Sequence, residues 1–324
     1  MCDSHLRHPR LAAGGNQLLQ RGIIEFREKR AQVGAPDFCW RTKETEIRII
    51  PKQDISSSLP QQHWLGSKAM KVQYLGDVSD YRKFGLLRLF MQIPDLKIGV
   101  CWLLTPDDKI KDGGKRQYLT KEVERGYDKD LFNALADIKE PPDMDEFNRL
   151  ERHEILNGIT FFNERTPCNR DKRDLFHSKC LEHLKYADFI FFDPDNGVEV
   201  KSIPYGRKKS NKYVFLHELK AHWECGKSLL IYQHFPRKNR DLFIDEQCNR
   251  LSRELQIDGE CIFALRTPHV VFFLVAQPRH VKPFEQCVLE NSGGWIFSTP
   301  PVSPRSTLNS TLVEGPDPAS SPTN

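Results

Sequence analysis

The feature that most limits how this chain can fold is a short, wholly apolar run that ends abruptly in a polar turn. Residues 189–192 read Phe-Ile-Phe-Phe, and Asp-Pro-Asp-Asn-Gly follows at 193–197. An uninterrupted apolar run of this length is typical of a strand buried on both faces, as in parallel sheets covered by helices. Asp-Pro and Asn-Gly are turn formers, so the strand is predicted to end at residue 193.

The same pattern recurs along the chain. Other strand-length apolar runs lie at 97–104, 159–162 and 228–233, and segments of helical periodicity separate them. Two further runs, at 261–266 and 270–276, are joined by only three residues, which allows a hairpin but no parallel crossover. The sequence therefore predicts an α/β fold with a Rossmann-like, doubly wound, mostly parallel sheet and an antiparallel C-terminal strand.

Three regions are expected from the distribution of this pattern. Residues 1–69 lack sustained periodicity and are predicted to be a poorly structured N-terminal extension, residues 70–290 to form the α/β domain, and residues 298–324, rich in Pro, Ser, Thr and Asn, to be a disordered tail. No apolar run approaches the length of a membrane span, and no apolar segment follows the first basic residues. A cytoplasmic protein without a membrane partner is expected.

The net charge and the cysteine pattern limit the kinds of ligand that the chain is expected to bind. The formal net charge is only +4, but basic clusters at 207–209 and 237–240 adjoin predicted polar strand ends. A basic rim suits nucleic acid or a nucleotide, although solvated surface loops would give the same clusters. The nine cysteines form no C-x-x-C pair, so no metal site built on sulfur is predicted.

Acidic residues and a histidine stand at three predicted strand ends. Because parallel strands end at one edge of a sheet, and ligands bind in the crevice beyond it, these side chains are expected to converge. Asp193, Asp195 and His234 are the predicted catalytic residues, and Asp107 and Asp108 the predicted cofactor-binding residues. Ordinary turns, helix caps and a hydrogen-bonded structural histidine would explain the same residues.

Four more residues are predicted to hold the substrate or its phosphate. They are Asn196 in the turn, Arg237 after the 228–233 strand, and Arg82 and Lys83 on a predicted helix at 80–92. A surface ion pair with Asp241 would account for Arg237 equally well.

Five sequence blocks resemble a family of uncharacterised bacterial proteins over about residues 70–283. The blocks are GDVSDYRKFGLLR at 76–88, CWLLTPDD at 101–108, FFDPDNGVEV at 191–200, YQHFPR at 232–237 and RTPHVVFF at 266–273.

More distantly, the layout is similar to the class I methyltransferases that modify adenine N6 in nucleic acid. Those enzymes carry Asp-Pro-Pro-Tyr or a variant after their fourth strand and finish with an antiparallel strand. The resemblance implies that residues 193–196 form the catalytic loop and that Asp193 accepts a hydrogen bond from the target amino group. Asp195 and Asn196 replace the second proline and the aromatic residue, and no glycine-rich loop directly follows the strand at 97–104.

Three functions remain open from the sequence. The leading prediction is a methyltransferase-like enzyme that acts on nucleic acid or a nucleotide with S-adenosylmethionine. The first alternative is a nuclease or phosphohydrolase in which Asp193 and Asp195 bind Mg²⁺ or Mn²⁺. The second is a non-catalytic binding protein on a degenerate methyltransferase-like fold.

Overall fold

The computed structural model describes residue 72 and residues 74–106, 115–291 and 297–299, the last three by their backbone alone. Within these residues the strands are β1 (Ile98–Cys101), β2 (Thr160–Phe162), β3 (Phe189–Phe192), β4 (Gly197–Val198), β5 (Tyr213–Val214), β6 (Ser228–His234), β7 (Ile262–Arg266), β8 (Val270–Val275) and β9 (Phe297–Thr299). The α-helices are α1 (Val78–Phe90), α2 (Glu122–Arg125), α3 (Lys129–Ala136), α4 (Met144–Glu151), α5 (Arg170–His183), α6 (Leu216–Glu224), α7 (Arg240–Leu255) and α8 (Val281–Glu290).

One mixed sheet organises the described part of the chain. Its strand order is β2-β1-β3-β6-β8-β7-β9, and a separate parallel ladder joins β4 to β5. The first four strands are parallel to one another. Strand β8 runs antiparallel to both of its neighbours, β6 and β7, and β9 runs antiparallel to β7. The predicted α/β, Rossmann-like, mostly parallel fold with an antiparallel C-terminal strand is confirmed.

The order places a topological switch point between β1 and β3. The chain leaves β1 for β2 on one side and then returns to β3 on the other side. Connections on either side of such a point diverge, which opens a crevice at the carboxyl ends of the two strands. The prediction that the strands at 97–104, 188–193 and 228–233 are parallel neighbours is also confirmed, because β1, β3 and β6 are adjacent.

Two apolar cores lie on opposite faces of the sheet. Helices α1, α3, α4 and α8 contribute to one core together with Phe191 and Leu230. Helices α5, α6 and α7 contribute to the other together with Ile190 and Leu229. Alternation along each strand thus sends successive side chains into different cores, and this explains why the runs are apolar at every position.

The start of α1 is fixed beside the switch point by two aspartates. Asp77 caps the helix, and its Oδ1 accepts hydrogen bonds from the backbone N–H groups of Ser79 (2.7 Å) and Asp80 (3.0 Å). Asp80 reaches back to accept one from the N–H of Gly76 (3.1 Å). Reciprocal capping of this kind satisfies helix donors that would otherwise lack partners, so this helix end is held in place.

Several predictions concern residues at the margins of the described ranges. The predicted extension at 1–69 and the tail from 300 onward lie outside them, as do Asp107 and Asp108. Ser298 and Thr299, which the sequence assigns to the tail, belong to β9 and pair with β7. Among the helices that the structure describes, none is long and apolar enough to cross a membrane.

Candidate active site

A large cleft occupies the crevice at the switch point. Its volume is about 1230 Å³, and its walls come from the start of α1 and from the loops that follow β1, β3 and β6. The residues at 102–105, 193–196 and 233–236 line it. The predicted polar strand ends at 193–196 and at His234 therefore do meet in one place.

At the centre of the cleft, Lys83 of α1 lies between two carboxylates. Its Nζ is 2.7 Å from Asp193 Oδ2 and 3.3 Å from Asp80 Oδ1. The same ammonium group lies 4.5 Å from the ring centroid of Tyr232 in β6. The side chains of Lys83 and Asp193 are each only 12% exposed, so the pair is largely withdrawn from water and screened weakly by salt.

Burial sets the protonation of this pair. It raises the pKa of the Asp193 carboxyl to about 6, against the opposing effect of the Lys83 charge. Burial would lower the pKa of Lys83, but the carboxylates of Asp193 and Asp80 outweigh it and hold that pKa well above its usual value. Near neutral pH, Asp193 is therefore ionised but close to its pKa, which suits a group that accepts a proton or a strong hydrogen bond.

Asp195 joins two loops rather than standing free. Its Oδ2 accepts a hydrogen bond from Thr105 Oγ1 (2.9 Å), in the loop after β1, and lies 3.5 Å from Lys212 Nζ, just before β5. Each of the two aspartates of the turn therefore pairs with a different lysine, Asp193 with Lys83 and Asp195 with Lys212. Asp195 ties the loop after β3 to the loop on the other side of the switch point.

The side chain of Gln233 in β6 holds the turn after β3 through two hydrogen bonds. The Gln233 side chain donates to the carbonyl of Asn196 (3.1 Å) and accepts from the N–H of Val198 (2.9 Å). Between them, Gly197 adopts φ +108°, and a Cβ built on it would lie 2.3 Å from the Gln233 amide. Only glycine allows both this conformation and the close approach of Gln233.

Replacing Gly197 by alanine is expected to lower the free energy of unfolding by about 1–3 kcal/mol, because the new Cβ adds both backbone strain and a clash with Gln233. Gly158→Ala is the matched control: Gly158 also has a positive φ (+95°), but no atom lies within 4 Å of its Cβ position. Urea unfolding of both variants measures the difference. A Gly197→Ala protein no less stable than Gly158→Ala would show that Gln233 does not brace the turn.

The loop after β1 contains a left-handed backbone conformation that could not be predicted from its sequence. Leu103 adopts φ +49°, although it is bulky and 2% exposed. A positive φ at such a residue is an outlier for an L-amino acid, and strained residues of this kind concentrate at functional sites. Its neighbour Trp102 is anchored by a hydrogen bond from Nε1 to Glu151 Oε1 (2.7 Å), which helps to hold the loop.

The structure brings some of the predicted site residues together and separates others. Lys83, Asp193, Asp195, Asn196 and His234 all line the cleft. His234 is exposed, and its ring lies 5.0 Å from the ring of Tyr232.

Two predicted substrate-binding residues, Arg82 and Arg237, are not among the residues that line the cleft. Arg82 is half-buried beside Lys83, and Arg237 is exposed. Asp241, the alternative surface partner of Arg237, lies with its Oδ1 2.5 Å from Arg266 Nη1.

Several cleft residues were not predicted from the sequence. In the sequence, Asp77 and Asp80 could be recognised only as helix caps. They do cap α1, and they also line the cleft. Burial and the Asp80 charge raise the pKa of Asp77 to about 6. Thr105 and Gln233 fall within the sequence blocks noted above and Lys212 does not, but none of the three was predicted as a site residue; the fold brings them to the cleft.

Two broader findings concern the whole site. Among the described residues, no group of three or more His, Cys, Asp or Glu side chains is arranged to hold a metal ion. Comparisons of the chain with protein-family models, with curated proteins and with solved structures find no match.

Proposed function

We propose that this chain is a methyltransferase-like enzyme that uses S-adenosylmethionine and acts on the amino group of a base in nucleic acid or a nucleotide. The observation that carries the proposal is the Asp193 carboxylate, held by Lys83 within the cleft at the switch point. It occupies the end of β3, where the resemblance to adenine-N6 methyltransferases implies the catalytic loop.

Asp193 would accept a hydrogen bond from the target amino group and draw electron density onto its nitrogen. The pKa of about 6 keeps the carboxylate ionised at neutral pH yet basic enough to share a proton. Lys83 fixes the position of Asp193, and Tyr232 and Asp80 in turn position Lys83. Because the pair is buried, its orientation is set before substrate binds, so little reorganisation is needed during the reaction.

The cleft fits a nucleoside-sized cofactor in both volume and chemistry. Its volume of about 1230 Å³ exceeds the roughly 300–1,000 Å³ of ligand pockets in general, which leaves room for a cofactor and a substrate together. Asp77, Asp80 and Thr105 would face the cationic methionine portion, beside the apolar side chains of Trp102 and Leu104. When bound, S-adenosylmethionine supplies an electrophilic methyl group.

The placement of the lysines favours this reaction over metal-dependent hydrolysis. In the alternative with Mg²⁺ or Mn²⁺, Asp193 and Asp195 would share a cation that needs several oxygen ligands. Here Lys83 and Lys212 each supply a positive charge to one of these carboxylates.

A cytoplasmic setting is proposed as well, because the cysteines of the described residues are free thiols.

Ligand-induced stabilisation separates the three functions. A ligand that binds the folded state raises the melting temperature, so S-adenosylmethionine should stabilise the protein without added metal. Stabilisation by Mg²⁺ or Mn²⁺ alone would instead support the hydrolase. No response to cofactor, metals or nucleotides would support the non-catalytic binding protein.

The pH dependence of transfer is a further prediction. Because Asp193 must be ionised, kcat/KM should rise as pH increases through about 6 and then level off, whereas an unperturbed aspartate would place this limb near pH 4. Lys83→Met removes the charge that opposes protonation, so the limb should move to higher pH. A profile that is flat from pH 5 to about 8 would show that ionisation of Asp193 does not control the reaction.

A further inference from the structure

Beyond Asp193, the cleft extends into a second region that the proposed chemistry does not use. We call it the aromatic lobe, and define it by Phe235, Phe243, Gln247, Val198 and Val200, all of which line the cleft. Phe235 follows β6, whereas Phe243 and Gln247 are four residues apart on α7 and so share one face of that helix. The two phenylalanine rings meet edge to face, with centroids 6.1 Å apart.

The amide of Gln247 stands out within this lobe. Its Oε1 is shielded from solvent and has no hydrogen-bond partner among the described residues. Buried polar atoms are almost always hydrogen-bonded, and each exception calls for an explanation such as a missing ligand. The terminal amide of glutamine turns easily about its last bond, so a ligand in the cleft can meet either its donor or its acceptor.

The surroundings of the rings are cationic. The Arg240 guanidinium lies 5.2 Å from the centroid of the Phe235 ring, and Lys238 Nζ lies 5.1 Å from that of Phe243. Lys238 lines the cleft and also pairs with Glu246, whereas Arg240 lies beside the lobe and is not among the residues that line the cleft. Aromatic rings beside cations form a combination that nucleotide-binding grooves use for bases and backbone.

We propose that the aromatic lobe binds the target nucleobase, with Phe235 stacking on its ring and Gln247 hydrogen-bonding to its edge. The inference rests on the proposed function, in which the amino group of the base must reach Asp193. A glutamine amide presents a donor beside an acceptor and complements a base that carries an amino group next to a ring nitrogen, as adenine does. The loop at 193–196 contains no aromatic residue, so the ring that stacks on the base would come from Phe235, at the end of the neighbouring strand β6.

Titration calorimetry with two nucleotides tests this assignment. The probes are adenosine 5′-monophosphate and purine riboside 5′-monophosphate, which differ only by the amino group. Wild-type protein should bind the first about 5- to 150-fold more tightly, the range expected for a paired amide contact. Gln247→Leu should weaken binding of the adenine nucleotide by a similar factor and reduce its preference over the purine nucleotide. Phe235→Leu should weaken both nucleotides alike, and Phe235→Tyr should restore them.

Gln286→Leu is the matched control, since it makes the same change on the exposed face of α8 and should leave both affinities unchanged. An unaltered preference in a folded Gln247→Leu protein, or a wild type that does not discriminate between the nucleotides, would overturn the assignment. The titrations contain no methyl donor. Gln247-dependent binding without methyl transfer would therefore refute the proposed reaction alone, and methyl transfer indifferent to Gln247→Leu would refute the base site alone.

Discussion

Asp193→Asn should lower the rate of methyl transfer by about 10²- to 10⁴-fold, the usual contribution of a positioned proton acceptor. The substitution keeps the shape of the side chain and removes its charge, so the amino group of the substrate meets a weaker, neutral acceptor that cannot take up a proton. Single-turnover rates of the variant and the wild type, at saturating substrate, measure the effect on the chemical step.

The protein should remain folded after this change, because Lys83 retains Asp80 at 3.3 Å as a partner. Asp188→Asn is the matched control: Asp188 precedes β3 at the opposite end, where its Oδ2 accepts from the N–H of Lys97 (3.3 Å). That variant should react at the wild-type rate. An Asp193→Asn protein that is folded and retains nearly full activity would remove Asp193 from the mechanism.

Phe191→Ala should instead damage the fold, lowering the free energy of unfolding by about 3–5 kcal/mol. Phe191 is fully buried, and its ring packs against those of Trp102 (centroids 6.2 Å apart) and Phe272 (6.3 Å). Small domains are stabilised by only about 5–15 kcal/mol, so this loss is a large fraction of the total. Urea denaturation at equilibrium gives the difference directly.

Tyr186→Ala provides the comparison for an exposed aromatic residue. Tyr186 is 75% exposed, and its truncation should change stability by no more than about 0.5 kcal/mol. If Phe191→Ala were equally mild, β3 would not be the central buried strand on which the position of Asp193 depends.

The fold could be predicted from sequence because its strongest signals are local. Wholly apolar runs such as 189–192 are typical of strands covered on both faces, and the three-residue link at 267–269 fixes the antiparallel β7–β8 pair. The strand ends at Asp193 and His234 were predicted to converge for the same reason, since parallel strands share an edge.

The contacts within the site could not be predicted in this way, since they join distant parts of the chain. Lys83 and Asp193 are 110 residues apart, and nothing near Lys83 distinguishes it from Arg82, which does not line the cleft. Thr105 and Lys212 reach Asp195 only because the fold brings the loop after β1 and the segment before β5 to the turn after β3. The left-handed conformation of Leu103 likewise has no local signal, because leucine rarely adopts it.

Mass spectrometry of the product tests the central claim most directly. The protein would be incubated with S-adenosylmethionine carrying an isotopically labelled methyl group, together with adenine nucleotides or single-stranded oligonucleotides. Label is expected on the exocyclic amino nitrogen of the base in the wild-type reaction and is expected to be lost in Asp193→Asn. Cofactor that stays intact with every substrate, or hydrolysed phosphate esters that appear with Mg²⁺ or Mn²⁺ instead, would contradict the proposed methyl transfer.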